Sequence, residues 1–147
     1  MLSSFDTNIL VYAADEDARE HSQASALMEE ALGEPSRWMV AEQVLWEFYK
    51  ALRNPRVITR PLSAEQAARR IRFLREESGF LRCCYGLNQW PDAIRMLARP
   101  RTPYQRTHDL VLGVTLRAHG VDRFYTRNTG DFQEAGFREL INPIDPV

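Results

Sequence analysis

Five short stretches that read as strands, at residues 2–6, 37–41, 80–84, 123–126 and 140–142, alternate along this chain with segments that read as helices, and that alternation limits the fold more than anything else in it. The intervening segments are 7–14, a helix opened by Asp15-Glu16-Asp17 and stopped by Gly33, then 42–53, a helix begun by the capping box Ser63 to Gln66, and finally 87–98 and 105–119. Strands that alternate with helices pair in parallel through right-handed crossovers. The expected fold is therefore α/β, a three-layer α/β/α sandwich with a central parallel sheet of four to five strands, built as one domain over residues 1–147.

In an open parallel sheet, ligands bind outside the carboxyl ends of the strands. Asp6 ends the first run, and Asp131 lies in the turn-rich stretch 127–132 beyond the fourth, which is the same address. Glu47 shares a helix face with Val44, Phe48 and Ala51, and an acid on an apolar stripe is an informative exception. Asp109 is set one turn before Gly113 in a helix that is apolar almost all round through Leu110, Val111, Leu112, Val114 and Leu116. Glu42 falls in a first helical turn, where an acid favours the helix dipole and a structural role suffices.

Taken singly, an Asp after a strand is an ordinary helix cap, and a buried Asp an ordinary partner for Arg. Together the four acids stand at coherent positions of one fold. If they converge, each pair at about 4 Å repels by roughly 4 kcal/mol at an effective dielectric near 20. Protonation or a divalent cation must relieve that. Oxygen donors without clustered cysteine or paired histidine select a hard ion, Mg²⁺ or Mn²⁺, and the matching chemistry is phosphodiester hydrolysis. Thr7, Asn8, Thr126 and Asn128 are small polar groups at the same strand ends, suited to orienting carboxylates.

Charge bears on the substrate. A formal net charge of −1 with a pI near 6.3 argues against binding duplex DNA through a broad basic surface. Lys50 is the only lysine, the remaining cations are Arg, and Arg forks match phosphate oxygens. The face carrying Arg69, Arg70, Arg72 and Arg75 is expected to be solvated or to touch RNA or a partner. No apolar run approaches the roughly 20 residues of a membrane span, and the N-terminus lacks a secretory pattern, so a cytoplasmic protein without membrane contact is expected. Cys83 and Cys84 point to opposite faces of a strand and are expected to be buried thiols, while Trp90 and Leu97 are expected in the core.

The motifs Phe5-Asp6-Thr7-Asn8-Ile9-Leu10, Gln43-Val44-Leu45-Trp46-Glu47-Phe48-Tyr49, Thr107-His108-Asp109 and Thr126-Arg127-Asn128-Thr129-Gly130-Asp131-Phe132 together resemble the PIN domain family, in particular the toxins of VapBC toxin–antitoxin systems. The resemblance runs through essentially the whole chain in the family's order. It implies an Mg²⁺- or Mn²⁺-dependent endoribonuclease that cuts structured RNA, forms a homodimer and is silenced by a cognate VapB-type antitoxin. It implies Asp6, Glu47, Asp109 and Asp131 as the acidic quartet, with Asp6, Asp109 and Asp131 toward the metal, Thr126 as the supporting hydroxyl and Asn8 beside it; Glu42 is the alternative to Glu47.

Other readings fit less well. A haloacid-dehalogenase-like phosphatase needs a second acid two residues after its nucleophile, where Asn8 stands, and a response-regulator phosphoacceptor needs a late lysine that Lys50 does not supply. A degenerate PIN module that only binds RNA or protein would not be expected to keep all four acids.

Overall fold

The computed structural model describes residues 1–145. Five strands run in parallel: β1 (Leu2–Phe5), β2 (Met39–Ala41), β3 (Leu81–Cys83), β4 (Val121–Tyr125) and β5 (Glu139–Ile141). They form a three-stranded sheet in the order β1-β4-β5 and a two-stranded sheet of β2 and β3. A single parallel bridge between Ser3 and Trp38 joins the two sheets, and the buried Ser4 hydroxyl donates to the Met39 carbonyl at 2.6 Å. The overall order is thus β3-β2-β1-β4-β5. Aromatic rings fill the seam: Trp38 stacks on Phe5 at 5.6 Å and on Tyr125 at 5.3 Å, while Phe5 meets Phe80 edge-on.

Six helices connect the strands: α1 (Thr7–Ala14), α2 (His21–Gly33), α3 (Glu42–Leu52), α4 (Ala64–Arg72), α5 (Trp90–Leu97) and α6 (Thr107–Ala118). Because β2 and β3 lie on one side of β1 and β4 and β5 on the other, right-handed crossovers put α1 to α4 on one face and α5 and α6 on the opposite face. The helix contacts agree, with α1 against α2 and α3, α3 against α4, and α5 against α6. The chain reverses its winding direction between β1 and β4. That is where an open sheet leaves a crevice for a ligand.

Several expectations are corrected. The acidic cluster does not open α2, which starts at His21. Asp15 is buried instead and accepts from the Asp17 amide, the Thr59 amide at 3.1 Å and the Thr59 hydroxyl at 3.0 Å, so its carboxylate serves loops where it was expected to start a helix. Trp90 is 59% exposed, and α5 buries Ala93 and Met96 in its place. Of the two cysteines only Cys83 is buried; Cys84, beyond the end of β3, is exposed. The Ser63 capping box is present as expected, and α4 runs on into a π-helical turn at Phe73–Glu77. Among the described residues, no helix is long and apolar enough to cross a membrane.

Candidate active site

Asp6 is the N-cap of α1, in extended conformation directly after β1, and its own amide donates to the Tyr125 carbonyl, tying the ends of β1 and β4 together. One carboxylate oxygen accepts from the amide of Thr7, the first residue of α1, at 2.8 Å. The other accepts from the Thr126 hydroxyl at 2.7 Å. Thr126, fully buried just after β4, also accepts from the Asn128 amide at 3.0 Å. Asn8 bridges the pair, its Nδ2 lying 3.5 Å from both Asp6 and Thr126, and its Oδ1 accepts from the Arg127 amide. Asn128 contributes through its main chain, its side chain being exposed.

Glu47 reaches the same edge from α3. Its Oε2 accepts from the Thr7 hydroxyl at 2.8 Å and its Oε1 from Gln43 Nε2 at 3.0 Å. Gln43 also donates to the His108 carbonyl, so one amide fixes Glu47 and joins α3 to the start of α6 one residue before Asp109. Glu42 turns away to Arg75, whose guanidinium lies 2.6 Å from its carboxylate. The alternative to Glu47 is thereby a surface ion pair between α3 and the end of the α4 extension.

Asp109 sits in the first turn of α6, half-buried. Asp131 sits in the first turn of a 3-10 segment, Thr129–Ala135, which packs on α6. Gly113 permits that packing, since a Cβ there would stand 2.9 Å from the Ala135 Cβ.

The electrostatics tie the four acids together. Burial first, and then the charges of Asp6, Asp131 and Glu47, push the Asp109 carboxyl up to about 7, against the pull of Arg106. Burial is also the main cause of a rise at Asp6 to about 6, reinforced by Glu47 and Asp131 and opposed by the hydrogen bonds from Thr126 and Thr7. Asp6 and Asp109 thus both feel the charges of Glu47 and Asp131 across the crevice. Among the described residues no three His, Cys, Asp or Glu side chains are drawn tightly enough to grip an ion by themselves. The donor set nonetheless fits a hard dication that takes one or two carboxylates directly and the rest through water. Its excess negative charge is what such an ion would neutralise.

Arg106 was not singled out from sequence. Its guanidinium donates to the Asp131 carbonyl at 2.6 Å and forms an ion pair with Glu134 at 2.6 Å. Its place three residues before Asp109, on the same side of a helical path, was the available signal. In a chain whose cations are nearly all Arg, that signal is faint.

The sequence model of the PIN domain matches residues 4–138. Ribonuclease VapC24 of Mycobacterium tuberculosis is 40% identical over 144 residues, with 96% of each chain covered. Among solved structures, the crystal structure of Mycobacterium tuberculosis VapC20, described as a sarcin-ricin loop cleaving toxin, superposes with a TM-score of 0.69 at 21% identity, covering 92% of this chain and 95% of that one. A toxin–antitoxin complex from Klebsiella pneumoniae superposes with a TM-score of 0.61 at 18% identity, covering 96% and 97%.

Proposed function

The chain belongs to the PIN domain family, and from that premise we propose that it is the toxin of a type II toxin–antitoxin pair, an endoribonuclease that hydrolyses RNA phosphodiester bonds with the help of Mg²⁺ or Mn²⁺. The observation that carries the reading is the gathering of Asp6, Glu47, Asp109 and Asp131 at the crevice where the sheet reverses its winding, with Asp6 and Asp109 both pushed toward neutrality by burial and by their neighbours. Its relatives include proteins called VapC ribonucleases, and its structural neighbours include a chain of a toxin–antitoxin complex.

In this reading Asp6, Asp109 and Asp131 hold the cation and Glu47 completes the acidic ring. A bound dication would supply Lewis-acid stabilisation of the phosphate and relieve the repulsion among the carboxylates. The chain's own residues do the positioning. Thr126 and the Thr7 amide fix both oxygens of Asp6, so the carboxylate enters the reaction in one rotamer. Thr7 and Gln43 do the same for Glu47. Asn8 spans Asp6 and Thr126 and keeps the ends of β1 and β4 in register. The partners proposed with this function are RNA as substrate, a VapB-type antitoxin as inhibitor and a second copy of the chain as a homodimer.

The test is cleavage of total bacterial RNA by the purified protein, read as new 5′ ends, with Mg²⁺ or Mn²⁺ and with EDTA. Wild type should cut at discrete positions only with metal, and Asp6→Asn should lose at least a hundredfold in rate, a loss of about 3 kcal/mol of transition-state stabilisation. Cutting that persists in EDTA or in Asp6→Asn would overturn the proposal. A protein that binds RNA without cutting it would be the degenerate module.

A further inference from the structure

Arg106 is shared between an acid of the candidate site and an acid outside it. Its side chain is only 17% exposed. Both terminal nitrogens donate to Glu134, at 2.6 and 3.2 Å, while one of them also holds the Asp131 carbonyl at 2.6 Å. Nε is buried without a hydrogen-bond partner among the described residues. Nε lies 3.7 Å from Asp131 Oδ1, within ion-pair reach but too long for a hydrogen bond. A small swing of the guanidinium onto the Asp131 carboxylate would give this buried N–H a partner. The two-pronged grip of Glu134 opposes the swing.

The geometry points to Glu134 as a positioning residue that holds the Arg106 guanidinium short of hydrogen bonding the Asp131 carboxylate and so leaves the oxygens of that carboxylate available to a divalent cation. This rests on the metal-dependent reading above. Arg106 has two separable effects: its main-chain bond anchors the segment that carries Asp131, and its charge competes with the cation for Asp131 itself. Glu134 cancels the second without disturbing the first. Without it, the anions left to Arg106 are Asp131, already at ion-pair distance, and Asp109, and a fork on Asp131 is the pairing Arg favours with a carboxylate. A merely structural tie between α6 and Thr129–Ala135 would use the same hydrogen bonds, but it would make no demand on metal affinity.

The two are separated by following thermal unfolding of the full chain against Mn²⁺ concentration, with Mn²⁺ as the only added ligand. Glu134→Gln should raise the Mn²⁺ concentration for half-maximal stabilisation about tenfold, within the range usual for residues that support metal ligands. Adding Arg106→Gln to it should bring that midpoint back toward the wild-type value, short of it only by the cost of the lost bond to the Asp131 carbonyl. Arg106→Gln alone should raise it by less than Glu134→Gln does, and it serves as the second measurement if Glu134→Gln does not fold. A wild-type midpoint in Glu134→Gln, or a double variant as weak as Glu134→Gln, would leave only a structural tie and overturn the inference. So would a midpoint in Arg106→Gln raised about tenfold or more. No stabilisation of the wild type by Mn²⁺ would overturn the metal-dependent reading as well, which distinguishes the two failures.

Discussion

Asp109 carries the largest unrelieved electrostatic cost in the site. Its carboxyl titrates near 7 in the folded chain against an ordinary value of 3.8, so the folded state holds its proton more tightly than the unfolded state does. Metal-free stability from this group is therefore greatest below about pH 4, falls as pH rises and levels off above about 7. Asp6, at about 6, adds in the same direction. Asp109→Asn should stabilise the metal-free protein at pH 8 by about 1 kcal/mol, a figure held low because the group is partly open to water, and should change little at pH 4. Denaturant melts at the two pH values decide it, and a loss of stability at pH 8 would mean that Asp109 has a favourable partner. Thr126 lies on the opposite side of the balance. Thr126→Val keeps the shape but strips the buried Asp6 carboxylate of its 2.7 Å hydrogen bond. Stability should drop by about 2 kcal/mol at pH 8 and by less at pH 5, where Asp6 is mostly protonated. Equal losses at both pH values would show that the bond does not serve the charged form.

Elements bring these residues together through contacts that leave uneven traces in sequence. The run ending at Asp6, the helix carrying Glu47 and the helix carrying Asp109 were legible because strand length, apolar period and caps agree locally. The start of α2 was misread because Asp15 spends its carboxylate on Thr59, 44 residues away, a tertiary bond that no local pattern announces. Trp90 departs from expectation because size and apolarity do not by themselves bury a residue, and single exposed apolar side chains are common on protein surfaces. Next to the site, α6 packs closely on Thr129–Ala135 where Gly113 meets Ala135. Gly113→Ala would gain roughly 1 kcal/mol of helix propensity in isolation. Here its methyl must displace the backbone behind Ala135, since a Cβ has no rotamer to give way, and overpacking of this kind costs about 1–3 kcal/mol. The variant should be less stable than wild type and cut RNA more slowly, because the displaced segment carries Asp131. Ala135→Gly in the same chain should recover part of both losses. An unaltered or raised melting temperature in Gly113→Ala would show that the segment yields freely.

At the scale of the molecule, the candidate site is assembled from the ends of β1 and β4, the inner edge of α3, the first turn of α6 and the segment Thr129–Ala135, so none of it exists in a partly folded chain. Strand order explains why the sequence could indicate the site's address but not its wiring. Alternation and handedness bring the ends of β1 and β4 to one crevice, whereas the bond of Gln43 to both Glu47 and the His108 carbonyl, and the fork of Arg106 on Glu134, depend on how α3, α6 and the last connection settle on that frame. The single Ser3–Trp38 bridge is the narrowest join, yet the Phe5, Trp38 and Tyr125 rings pack continuously across it. The two sheets should therefore unfold as one. Calorimetry is expected to give a single transition whose calorimetric and van't Hoff enthalpies agree. If the proposed metal site at Asp6, Asp109 and Asp131 is right, Mn²⁺ should move that whole transition upward, because a ligand of the complete fold alone stabilises it by mass action. Two resolved transitions, or an ion that shifts only part of one, would mean that β2 and β3 fold apart from the strands bearing Asp6 and Thr126, and that the crevice can form without them.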